Sequence, residues 1–117
     1  MKIGVARETA AGERRVALVP EGLGKLTAAG LEILVEKGAG VGALIPDSAY
    51  TDAGATIVST DDLYRQADLI VRVQKPTAAE VVRLRSGQAV AGLLQPLLDP
   101  KLMEALAGAG EIGRAHV

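Results

Sequence analysis

Five short apolar runs punctuate the chain, at residues 2–6, 31–35, 56–58, 68–73 and 88–94, and most are rich in β-branched side chains. Runs of this length that are apolar on both faces suit parallel strands covered by helices on either side. The segments between them carry helix punctuation. Pro20, Pro46, Pro76 and Pro100 stand where helices would begin, and proline is favoured in a first turn because the N–H it lacks would be unpaired there. Asp99 is a good N-cap, Thr77 with Glu80 has the spacing of a capping box, and Ser59 with Asp62 is a weaker version. Gly30, Gly54 and Gly108 close the same segments, as helix C-termini prefer. The alternation predicts an α/β fold: an open, mostly parallel sheet with right-handed crossovers and helices on both faces, flavodoxin/Rossmann-like. A last helix from Pro100 to about Gly108 buries Leu102, Met103 and Leu106. No strand is predicted after it, so the sheet reads as incomplete at its C-terminus.

The seven final residues, Glu111-Ile-Gly-Arg-Ala-His-Val117, break this pattern. Back-translated as GAG ATC GGA AGA GCA CAC GTC, they spell a widely used short-read sequencing adapter. The expectation is one domain over residues 1–110, truncated before its last strands, followed by a non-native tail over 111–117. His116, the only His of the chain, then carries no chemistry.

Composition narrows the function classes. A chain of 117 residues buries roughly two-thirds of its unfolded surface, enough for one core. Lys+Arg 13 against Asp+Glu 14, with no Phe or Trp, argues against a nucleic-acid face, which wants a basic surface and often stacking rings. The absence of Cys removes disulfides and thiolate metal sites. No apolar run is long enough to span a bilayer, and no basic segment precedes an apolar stretch at the N-terminus, so a cytoplasmic domain is expected.

Three places carry candidate chemistry. Gly38-Ala-Gly-Val-Gly42 follows a strand, yet a dinucleotide fingerprint needs G-x-G-x-x-G opening directly into a helix, and here Leu44-Ile-Pro46 intervenes. A plain glycine-rich loop is the better reading. The loop after the first strand holds Arg14 and Arg15 at the carboxyl ends of the strands, where parallel sheets bind ligands. A guanidinium there suits a carboxylate or phosphate, while simple surface pairing with Glu8 and Glu13 explains it equally well. Lys75 precedes Pro76 at a helix start, against the helix dipole, and Gln95 ends the fifth run on the same rim. Arg15, Lys75 and Gln95 converge by topology on a crevice for a small anion. Asp47, Asp61 and Asp62 read as helix-start residues, and Ser48, Ser59 and Ser86 have no base to activate them. A phospho-receiver module needs an acidic pair after its first strand and an Asp after its third, and here Arg7-Glu-Thr9 and Ser59-Thr60 stand in those places.

Lys2-Ile-Gly-Val-Ala-Arg-Glu8, Arg15-Val-Ala-Leu-Val-Pro20, Gly38-Ala-Gly-Val-Gly42 and Val73-Gln-Lys-Pro76 together resemble the N-terminal domain shared by alanine dehydrogenases and the α subunit of proton-translocating NAD(P) transhydrogenases. The likeness runs in order through nearly the whole chain to Gly110; Ala6 departs from the family's usual Pro. Alanine dehydrogenases carry a catalytic His in the stretch that here reads Gly92-Leu-Leu-Gln-Pro-Leu-Leu-Asp-Pro-Lys-Leu-Met103, without one. A transhydrogenase passes hydride directly between two nicotinamides and needs no such acid–base group. The resemblance therefore implies the transhydrogenase branch, with NAD held mainly by a downstream domain, NADP on a partner domain, and membrane and NADP-binding subunits as partners. It further implies a homodimer of the full-length α subunit, cytoplasmic and peripheral to the inner membrane when assembled. In the dehydrogenase branch the positions of Arg15 and Lys75 hold the substrate's carboxylate and carbonyl; in the transhydrogenase branch they line the cleft, with Gln95 at its rim. The chain by itself is expected to be inactive. Alternatives are an alanine dehydrogenase domain, a saccharopine dehydrogenase relative, or a standalone anion-binding α/β module.

Overall fold

The computed structural model describes residues 1–74, 78–84, 87–92, 101 and 113–116. Six strands form one sheet: β1 (Lys2–Val5), β2 (Glu32–Glu36), β3 (Thr56–Val58), β4 (Leu69–Arg72), β5 (Ala89–Gly92) and β6 (Gly113–His116). Their order is β3-β2-β1-β4-β5-β6, and every pairing is parallel. The helices are α1 (Leu23–Ala28), α2 (Asp47–Asp52), α3 (Thr60–Gln66) and α4 (Ala78–Arg83). The chain moves outward from β1 to β2 and β3, then returns to place β4 on the other side of β1. Connections leaving β1 and β4 part in opposite directions, which opens a crevice above their carboxyl ends.

Strand parity divides the core in two. Ile3, Val5, Ile33, Val35, Leu69 and Val71 pack with Leu18, Leu23, Leu26 and Tyr50 on one face. Leu34, Ile70 and Val90 pack with Leu63, Tyr64 and Ala67 on the other. Burial on both faces is why these runs read as continuously apolar. On the second face α3 lies so close to β1 that a Cβ on Gly4 would come within 2.7 Å of Leu63 Cδ1 and 2.9 Å of Ala67 Cβ. Gln88, fully buried, donates to the carbonyls of Tyr64 and Ala67 at 2.7 and 2.6 Å. It thereby satisfies groups at the end of α3 that no helical N–H reaches.

The punctuation largely does what its chemistry predicts. Pro20 opens a single 3-10 turn, Pro20–Gly22, that runs into α1. Pro46 sits one residue earlier than expected, as the N-cap of α2. The Ser59 hydroxyl accepts from the Asp62 N–H at 3.2 Å and caps α3. Gly30 and Gly54 have φ of 88° and 100° and end their helices in the left-handed conformation glycine tolerates. Helix α4 occupies the segment expected after Pro76, although Pro76, Thr77, Asp99, Pro100 and Gly108 themselves lie outside the described residues, as do Leu102, Met103 and Leu106.

A difference appears beyond β5. No strand was expected after the last helix, yet Gly113–His116 pairs with β5 in parallel register, from Ala89 opposite Gly113 to Gly92 opposite His116. The exposed edge of β5 presents unpaired N–H and C=O groups, and backbone pairing along such an edge requires no particular side chains. A strand at this place is therefore compatible with either origin of residues 111–117.

Candidate functional site

At the β1–β4 crevice the backbone pairing of β1 continues one residue past the strand, with the Ala6 N–H donating to the Val71 carbonyl at 3.1 Å. The chain then turns away, but Glu8 reaches back. Its carboxylate accepts from the backbone N–H groups of Val73 and Gln74 at 2.8 and 3.2 Å and from Arg72 Nη2 at 3.4 Å. Arg72 ends β4, and its Nε donates to the Gln74 carbonyl at 3.0 Å. Both side chains are nearly sealed, Arg72 at 2% and Glu8 at 3% exposure. A buried pair of this kind adds little net stability over an apolar pair, but losing one partner strands the other charge. The clamp fixes the path of the chain past β4 as far as Gln74.

A second carboxylate continues the network outward. Gln74 Nε2 donates to Glu13 Oε1 at 2.5 Å. Glu13 in turn holds Arg15 through its backbone N–H at 2.8 Å, Nε at 3.0 Å and Nη2 at 2.8 Å. The hydrogen bonds from the Arg15 side chain, then Gln74, then the Arg15 backbone hold the Glu13 carboxyl at about 2, well below its ordinary 4.5. The Arg15 guanidinium is raised for the matching reason, first the hydrogen bond to Glu13 and then its charge. Arg15 remains exposed while Glu13 is almost covered, at 60% against 6% for the side chains. The guanidinium is thus held by one edge, through Nε and Nη2, and Glu13 does not engage Nη1.

The expected site residues divide accordingly. Arg15 stands on the rim, paired with Glu13 as simple surface pairing predicts; Glu8, however, pairs with Arg72 on the far strand and not with Arg14 or Arg15. Lys75 and Gln95 lie outside the described residues. Glu8, Gln74 and Arg72 were missed as site residues. One signal was available: Arg72 is a charge inside an otherwise apolar run, and such a charge is buried only when paired.

The glycine-rich loop is a closed structure. Val41–Ala43 forms a single 3-10 turn that ends on Leu44 at φ 63°, with no helix following until Asp47. The Gly38 N–H is taken by Asp47 Oδ1 at 3.0 Å, and a Cβ on Gly40 would meet the Ile45 carbonyl and Tyr50 at 2.8 Å. Asp47 thus stands in the first turn of α2, as expected, and also ties down the loop. Tyr50, whose hydroxyl donates to the Leu18 carbonyl at 2.8 Å, is pushed up to about 12, first by burial and then by the charges of Glu21 and Asp47.

On the other face of the sheet a cleft of about 180 Å³ is lined by Arg7, Thr9, Glu36, Thr60, Tyr64, Arg72, Ala79 and Arg83. Among the described residues no group of His, Cys, Asp and Glu is placed to hold a metal ion, and no helix is long and apolar enough to cross a membrane.

Comparison with known proteins places this geometry. The profile of the alanine dehydrogenase/PNT N-terminal domain matches residues 4–115. The chain belongs to this family. It is 44% identical over 112 residues to an NAD(P) transhydrogenase subunit alpha of Rhodospirillum rubrum, covering 91% of this chain and 29% of that one. It is 38% identical over 117 residues to alanine dehydrogenase of Mycobacterium tuberculosis, covering 99% of this chain and 32% of that one. Among solved structures, the transhydrogenase of Sinorhizobium meliloti superposes with a TM-score of 0.76 at 35% identity, over 99% of this chain and 34% of that one. An L-alanine dehydrogenase superposes with a TM-score of 0.73 at 34% identity, over 80% of this chain and 26% of that one. The chain spans about a third of the length of the curated relatives it matches, at 32% and 29%. These relatives are oxidoreductases, and the transhydrogenase relatives are named as subunits. The glycine loop does not fit a dinucleotide fingerprint: it has spent its Gly38 N–H on Asp47 and opens directly into no helix.

Proposed function

We propose that this chain is the first domain of the NAD(H)-binding α subunit of a proton-translocating NAD(P) transhydrogenase. The observation that carries the reading is the stretch Gly92-Leu-Leu-Gln-Pro-Leu-Leu-Asp-Pro-Lys-Leu-Met103, which holds no His. Oxidising an amine to an imine and hydrolysing it requires a group that moves protons. Hydride exchange between two nicotinamides does not. The higher identity to the Rhodospirillum rubrum subunit, 44% against 38% for the mycobacterial dehydrogenase, supports the same choice. In this reading NAD(H) is bound mainly by a domain beyond this chain, NADP(H) sits on a partner domain, and a membrane subunit couples the exchange to proton movement. The full-length subunit is a homodimer, cytoplasmic and peripheral to the inner membrane, and residues 111–117 are a non-native tail.

Arg15 and Lys75 line the nicotinamide side of the cleft, with Gln95 at its rim. The network from Glu8 through Gln74 to Glu13 supports this role, since it ties Arg15 to the residue that precedes Lys75. The second reading is an alanine dehydrogenase domain, favoured by the match to that enzyme over 99% of this chain. One experiment separates the two. The full-length protein, assembled with its partner subunits, should transfer hydride from NADH to an NADP+ analogue and show no alanine-dependent reduction of NAD+. Alanine-dependent reduction without transfer between nucleotides would replace the first reading with the second. The 117-residue chain alone should give no saturable enhancement of NADH fluorescence at micromolar concentration.

A further inference from the structure

The cleft on the α3 face lies at the carboxyl ends of β1, β2 and β4, yet it is separate from the Arg15 rim. Strand parity sends Glu36 and Arg72 to the same face as Leu34 and Ile70, toward α3. Three arginines line the cleft, Arg7, Arg72 and Arg83, of which Arg72 is buried, against one acidic residue, Glu36. That carboxylate is already engaged: it accepts from the Arg7 N–H at 2.9 Å and from the Thr60 hydroxyl at 2.6 Å. The charges that balance the other arginines are outside the lining. Glu8 meets Arg72 from the crevice side, and Asp61, 86% exposed, meets Arg83 at 2.5 Å. Arg83 is also held over the Tyr64 ring, 4.7 Å from its centre, so its guanidinium is positioned before any ligand arrives. The Arg7 side chain is exposed and has no hydrogen-bond or ion-pair partner among the described residues.

We infer that this cleft is a binding site for a small anion, a phosphate or carboxylate group gripped between Arg7 and Arg83 over the Arg72 floor. Planar guanidinium forks match both oxyanions through paired hydrogen bonds. The volume of about 180 Å³ admits a small ion, well below the roughly 300–1,000 Å³ typical of sites for larger ligands. The site does not depend on the transhydrogenase reading, because Arg15, Lys75 and Gln95 are not among its lining residues; Arg72 alone is shared with the crevice network.

The test is a titration of the 117-residue chain with inorganic phosphate and, separately, with malonate, followed by amide NMR shifts. Saturable shifts at Arg7, Thr9 and Thr60 are expected with at least one of the two. Arg7→Ala and Arg83→Ala should each weaken binding about tenfold or more, while Arg15→Ala should change it less than twofold. Saturation with phosphate alone assigns a phosphoryl ligand, with malonate alone a carboxylate, and with both a general oxyanion site. No saturation by either anion at about 10 mM ligand, roughly tenfold above a millimolar dissociation constant, would overturn the inference. So would shifts abolished by Arg15→Ala and indifferent to Arg7→Ala. Because Arg7 is exposed, its variant is expected to fold, which an unchanged amide spectrum of the core strands verifies.

Discussion

Two loops leave neighbouring strands at the same edge of the sheet and are built on opposite principles. The loop after β2 is made of glycines and apolar residues that close on themselves. Gly40 packs against Ile45 and Tyr50, Gly38 gives its N–H to Asp47, and Val41 and Leu44 are left exposed. The loop after β1 makes one local ion pair, Glu13 with Arg15, and takes its other anchors from elsewhere in the chain. Its carboxylates reach across the crevice to β4, where Glu8 clamps Val73 and Gln74, and Glu13 joins Gln74 to Arg15. The first loop has the look of a nucleotide motif and the interior of a turn. The second has no motif spacing, yet it assembles charged groups from two strands at the point where the sheet changes direction. Glycine makes a conspicuous pattern in a sequence whether it serves a ligand or only a tight turn; paired charges distant in sequence make none.

The contrast can be broken at either loop. The largest effect is expected at Glu8, because Glu8→Ala strands the buried Arg72 guanidinium. Stability should fall by about 3–5 kcal/mol in denaturant unfolding, and replacing both partners with apolar residues should recover most of it. A loss below about 1 kcal/mol for the single variant would show that the clamp is not buried in solution. In the glycine loop, Gly40→Ala forces a Cβ to 2.8 Å from the Ile45 carbonyl, and overpacking of this kind costs about 1–3 kcal/mol. Gly42→Ala is the control: its nearest neighbour would be Arg14 Cα at 3.4 Å, so its cost should be a small fraction of that at Gly40.

Acid should separate the loops as well. The Glu13 carboxyl is lowered from 4.5 to about 2, so its contribution is fully present above about pH 4.5 and is lost as pH falls through about 2. Exchange of the Arg15 Nε proton, followed by NMR, should accelerate over that window, while the amides of residues 38–46 keep their protection. Protection of Arg15 lost already above pH 4.5 would contradict the pairing. The smallest effect is expected at Leu44, a 92% exposed residue at φ 63°. Leu44→Gly relieves left-handed strain and should leave stability unchanged or raise it by up to about 1 kcal/mol.

The fold was legible because parallel strands buried on both faces write themselves as apolar runs. The observed β3 matches its predicted bounds, and β1, β2 and β4 differ by a residue or two at their ends, where boundaries fray. Sheet order was not legible, since only tertiary packing decides that β4 returns to the side of β1. Within the site, Arg15 could be placed on the rim from its position after β1. Its partner Glu13 was named only as a surface neighbour. The role of Glu8 stayed hidden because its contacts lie 64 to 66 residues away along the chain. The cleft on the α3 face was hidden for the same reason: Arg7, Arg72 and Arg83 are brought together by three different elements.

The central claim is that the rim between β1 and β4, and not the glycine loop, carries the chemistry. Its most direct test is turnover of the full-length protein with Arg15→Ala or Lys75→Met, set beside Gly42→Ala and Leu44→Gly. The account predicts at least about a tenfold loss of turnover, roughly 1.4 kcal/mol of barrier, for the rim variants at unchanged melting temperature, and near-normal turnover for the loop variants. Normal turnover in both rim variants, with loss on altering Gly42 or Leu44, would contradict it.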